Sequence, residues 1–206
     1  MLALIYNGVP SNDKDEIALD ICCELLSNSQ KTGILDKLQL DGDIMSVGAS
    51  QNAMRDAGIL MINAIPSFDA NQNRWDSHKS VEKIVLSSLR QLQNGEFDEA
   101  TLEAIKQNMI REYDLQMESN EMKAYILASL FNTGADPSDI VNFKEKVKAV
   151  TIDEVKAVAK KYFNDNYLAL NIQEAKNLDS KGQKLKKPDY KPIETKKGAK
   201  SEYAKW

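Results

Sequence analysis

Few stretches of this chain are fit to be strands, and nearly everything between them carries a one-sided helical stripe that needs a sheet to cover. Residues 2 to 6, LALIY, are apolar and β-prone, and the run stops at Asn7, Gly8 and Pro10. DIMSVGASQ and AGILMINAIPS, joined by NAMRD, read as an antiparallel hairpin whose second strand ends at Pro66. YLALNIQ, residues 167 to 173, predicts the last strand.

The helices announce themselves by spacing and by their ends. Asp13 and Glu16 form a start signal before Ile17, Leu19, Ile21, Cys22, Leu25 and Leu26, which predicts a helix over 13–28. Ile34, Leu35 and Leu38 give a short helix closed by Asp41-Gly42. Trp75 to Leu92 repeats Val81, Ile84, Val85 and Leu89 at helical spacing, with Gly95 as its stop. Asp98 is placed to cap a helix whose inward face is Leu102, Ile105, Met109, Ile110 and Tyr113. Met122 to Phe131 predicts another helix, ended by Thr133-Gly134, and Pro137 suits the first turn of the next. Thr151 and Glu154 form a capping box for a last helix through Val155, Val158, Ala159 and Tyr162. The expected architecture is α+β, a two-layer sandwich of a mainly antiparallel sheet with helices on one face.

Hydrophobic residues make up 42% and charged residues 28%, an ordinary globular balance. The charge is divided unevenly. From residue 181 to the end, nine lysines face Asp189, Glu194 and Glu202, a net +6 against an overall −4. The acidic body argues against a phosphate-backbone binder, so no nucleic-acid partner is expected. Residues 1–176 are expected to be one αβ domain, and the lysine-rich, core-poor 177–206 an interdomain linker. A core-type strand already at residue 2 predicts a domain that has lost its first strand and helix. No apolar run is long enough for a membrane span and the N-terminus lacks a signal-peptide pattern, so a soluble chain is expected.

One histidine, His78, limits the chemistry. A zinc site takes several His or Cys ligands, and Cys22 and Cys23 are adjacent on a helix where they point apart and read as buried small hydrophobes. Glu82 lies four residues after His78, but two ligands make no site, and the plain reading is an exposed first-turn histidine. No serine lies in a nucleophile elbow, and there is no phosphate-binding glycine loop. Asp13, Asp15 and Glu16 read as helix-start charges that complement the macrodipole. Basic and aromatic residues alternate only in the tail, at Lys187, Tyr190, Lys191, Tyr203 and Trp206, where docking on a neighbouring domain is expected. No catalytic or metal-binding residue is expected.

The ordered segments resemble the non-zinc domain of the pitrilysin/insulinase family of zinc metallopeptidases. The likeness runs through Leu25, Leu26, Ser27, Gly33, Ile34, Leu35, Asp36 and Leu38, then DAGILMI, EKIVLSSLRQL, FDEATLEAIK, VTIDEVKAVAKKYF and NYLALNI, over residues 1 to 176. It implies a domain that helps wall the peptide chamber of a peptide-degrading metalloendopeptidase. It implies zinc in the parent's catalytic domain, and as partners the zinc-binding domain of the same chain or subunit and, through it, a peptide. Family domains that assist catalysis carry an Arg and a Tyr seven residues apart, and here Asp36 and Asp43 stand at those places. Ionised acids cannot donate hydrogen bonds to an oxyanion, so the resemblance implies the structural repeat and not the domain that completes the active site. It also implies that peptides add to an exposed strand edge. A bacterial parent would place it in cytoplasm or periplasm. The alternative is a stand-alone scaffold or interaction subunit of the same fold.

Overall fold

The computed structural model describes residues 1–69, 74–75, 77–134, 136 and 138–172. Along the chain these form β1 (Leu2–Gly8), α1 (Glu16–Leu26), α2 (Ile34–Leu40), β2 (Ile44–Ala53), β3 (Gly58–Pro66), β4 (Phe68–Asp69) and β5 (Arg74–Trp75). Then follow α3 (His78–Asn94), α4 (Glu99–Glu118), α5 (Asn120–Thr133), α6 (Ser138–Ala149), α7 (Ile152–Tyr162) and β6 (Leu168–Asn171).

The main sheet has the order β2-β3-β1-β6, with every pairing antiparallel. The two-residue side-chain period divides it cleanly. Leu2, Leu4 and Tyr6 of β1 and Leu60, Ile62 and Ala64 of β3 are buried in one core with α1, α3 and α7. Leu4 stands opposite Ile62 and Ala169, while Ile5 stands opposite Met61 and Leu168 on the other face. Leu168 and Leu170 are exposed there, as a sheet covered by helices on one side requires. The expected α+β sandwich of antiparallel strands and helices is therefore what the chain forms.

α1 is the keystone of the helical layer. Ala18, Leu19, Ile21, Cys22, Cys23, Leu25 and Leu26 are all buried, a stripe wide enough to touch β2, α7 and α4 at once. Burying each Leu or Ile contributes about 1.5–3 kcal/mol. The chain leaves α1 through a knot built on Asp36, which accepts hydrogen bonds from Ser27 Oγ at 2.8 Å and from the backbone N–H groups of Asn28 and Gly33, each at 3.0 Å. Gly33 is required at this crossing, because a Cβ there would overlap the Leu26 carbonyl.

Two expected helix starts move. Asp13 to Asp15 form a turn, since Asp13 Oδ1 accepts from Asp15 N at 2.8 Å, and α1 begins at Glu16. Trp75 belongs to the short β4–β5 pair, so α3 begins at His78 and not at Trp75. The caps at Asp98 and Thr151 form, with Asp98 Oδ1 accepting from Thr101 N at 2.6 Å and Thr151 Oγ1 from Glu154 N at 3.2 Å. α5 buries none of its side chains, and Tyr125, Leu127 and Phe131 are exposed. The linker expected over 177–206 and the tail aromatics lie outside the described residues.

Candidate functional site

In a sheet ordered β2-β3-β1-β6, one side of β2 has no strand beside it among the described residues. β2 is ten residues long, IMSVGASQNA, with no charge and no proline. It therefore lacks the lysines and prolines that usually blunt a sheet edge, and its only irregularity is a bulge at Ile44/Ser46. Its outer N–H and C=O groups are a template for another extended segment.

Beside this edge, on the helical side, lies a crevice of about 320 Å³. Ala49 and Gln51 reach it from β2, because they share the inward face with Val47, while Asp20, Cys23 and Glu24 come from α1 and Met109 and Glu112 from α4. Burial, then the charges of Glu16 and Glu24, push the Asp20 carboxyl up to about 7. Glu24 is raised by burial and by Glu112 and Asp36. Gln51 Oε1 is buried and accepts no hydrogen bond, while its Nε2 donates to Glu16 O at 3.5 Å. Three carboxylates and the Gln51 carbonyl oxygen thus line the crevice together with Ser50, Tyr113 and Gln116, and no described lysine or arginine does. A second groove of about 450 Å³, between the start of α1 and helices α4 to α6, is walled by apolar residues such as Ile126, Leu130 and Phe143.

The residues singled out in the sequence go elsewhere. Asp36 is fully buried in the knot after α1, with Lys31 Nζ at 3.5 Å, and Asp43 is exposed in the turn between α2 and β2. His78 opens α3 with its Nε2 3.5 Å from the Met1 amine, and Glu82 accepts from the Tyr167 hydroxyl at 2.9 Å. Cys22 and Cys23 are buried, and burial pushes both thiols well up, so neither is a ready thiolate. Among the described residues no group of three or more His, Cys, Asp or Glu side chains could hold a metal, and the residues present do not fit a zinc site. Asp15 serves the fold: burial alone would raise its carboxyl, but hydrogen bonds from Lys161 at 2.6 Å and Tyr162 at 2.8 Å hold it below the ordinary range and tie α1 to α7. No helix among the described residues is long and apolar enough to cross a membrane.

The crevice residues Asp20, Glu24, Glu112 and Gln51 were missed in the sequence, although one signal was present. Glu16, Asp20 and Glu24 recur every fourth residue along α1, a line of like charges with no basic residue at the same spacing.

A family described as the peptidase M16 inactive domain matches residues 1–109. The zinc protease PqqE of Helicobacter pylori is 22% identical over 165 residues, 80% of this chain but 36% of that protein, so the chain spans about a third of that relative. A protease structure from Helicobacter pylori superposes with a TM-score of 0.72 at 20% identity, over 82% of this chain and 40% of the other. An inactive peptidase domain from Bordetella parapertussis superposes with a TM-score of 0.70 at 17% identity, over 87% of this chain and 93% of its own. The structural likenesses show a shared fold, and the family match covers more than half of the residues. The chain belongs to the peptidase M16 inactive domain family, the non-zinc domain of pitrilysin-like zinc proteases.

Proposed function

We propose that this chain is the non-catalytic, substrate-chamber domain of a zinc metalloendopeptidase that degrades peptides, and that it holds an extended peptide as an added strand along β2. The observation that carries the reading is the ten-residue edge free of charge and proline. Main-chain hydrogen bonds along such an edge bind many sequences, which suits a protein that handles unfolded peptides.

In this reading zinc and the water it activates belong to a partner domain of the same chain or to a partner subunit. Asp36 and Asp43 stand where an assisting domain would carry donors. Asp36 is already committed to three donors of its own fold and the Asp43 side chain carries no N–H donor, so in this reading neither supplies an oxyanion contact. The bacterial source of the relatives favours a bacterial cytoplasm or periplasm.

The test is reconstitution. The purified 206-residue chain should retain no stoichiometric zinc and cleave no unfolded peptide. Added to the zinc domain of its own protein, it should raise peptide cleavage at least about tenfold over that domain alone. Chelator-sensitive cleavage by the chain alone, or a zinc domain indifferent to it, contradicts the proposal.

A further inference from the structure

The crevice beside β2 gives the proposed edge a chemical preference. We propose that the peptide taken up by β2 carries a lysine or arginine whose cationic head is received between Asp20, Glu24 and Glu112. This rests on the strand-addition reading above and adds to it the class of side chain selected.

The geometry comes first. A strand added outside β2 would run about 4.8 Å from it and send alternate side chains to the helical face. That is the face on which Ala49 and Gln51 line the crevice. An inward side chain of the added strand therefore enters the space between α1 and α4. The walls suit a long amphipathic side chain, with Met109, Cys23 and Phe143 for the methylenes and carboxylates for the head.

The charge points the same way. Three carboxylates from two helices line one crevice that no described lysine or arginine lines, and none of the three forms an ion pair with a described residue. Asp20 and Glu24 are half-buried, and a half-buried carboxylate without a counter-charge is costly, as the raised Asp20 shows, so a cation brought by the ligand removes that cost. Independent of the acids, the buried Gln51 Oε1 lacks a donor in the same crevice. An ammonium or guanidinium supplies several donors and no acceptor, which complements this lining.

The experiment uses the 206-residue chain at pH 8 and labelled peptides of one extended host sequence, with a single central Lys, Arg, norleucine or Glu, read by fluorescence anisotropy. Lys and Arg peptides are expected to bind at least about tenfold more tightly than norleucine, with Glu the weakest. Glu112→Gln, at an exposed position that the fold does not need, should shrink the Lys advantage to within about threefold. Equal binding of all peptides by the unaltered chain overturns the cation preference while leaving strand addition intact. Binding of none overturns both, and tighter binding of the Glu peptide overturns the preference outright.

Discussion

Asp20 and Asp36 show opposite uses of a buried carboxyl. Asp36 accepts from three donors and closes the turn after α1, so its burial is compensated within the fold. Asp20 has no such donors among the described residues and faces Glu16 and Glu24, which leaves its carboxyl raised from 3.8 to about 7. The sign of its effect follows. Between these values the native state holds a proton that the unfolded chain has already lost, so Asp20 makes stability fall as pH rises from about 4 to 7 and adds no further slope above. Asp20→Asn should remove that component. In urea titrations the variant is expected to match the unaltered protein near pH 4 and to exceed it at pH 8 by about 1–3 kcal/mol. The same stability difference at both pH values would show that the Asp20 proton is not held as described.

At the scale of elements, glycine and the caps carry the local decisions. Gly33→Ala places a methyl group against the Leu26 carbonyl where α2 crosses the end of α1. It should cost about 1–3 kcal/mol by equilibrium unfolding, and an unchanged midpoint would deny the close approach. Asp98 and Thr151 were legible in the sequence because a cap needs only a side chain and an N–H three residues on. The hairpin of β2 and β3 was legible for the same reason, since it is local. The β4–β5 pair was not, because two residues carry no periodicity, and Trp75 was absorbed into the helical stripe that follows it. α5 was legible as a helix but the exposure of its apolar side chains was not, because periodicity does not say whether a helix face is covered.

The whole molecule decides what the elements leave open. β1 sits between β3 and β6, strands separated by more than a hundred residues, and only that long-range pairing makes β2 an edge. No pattern within β2 encodes its position at the margin, so the candidate site was hidden even though the strand itself was plain. The crevice has the same origin, since Glu112 and Gln51 reach the line of Asp20 and Glu24 from α4 and β2. Composition bears on zinc without any structure, because one histidine and two adjacent cysteines offer few of the nitrogen and sulfur ligands that a zinc site prefers. What makes the domain useful to a peptidase, in this view, is an open sheet margin beside an acidic crevice. Amide hydrogen exchange reads that margin directly, with the chain alone and with a saturating Lys-containing extended peptide. Strand addition predicts slowed exchange within residues 44–53 that the free chain does not show. Peptide binding that leaves residues 44–53 unchanged and protects another surface would contradict it.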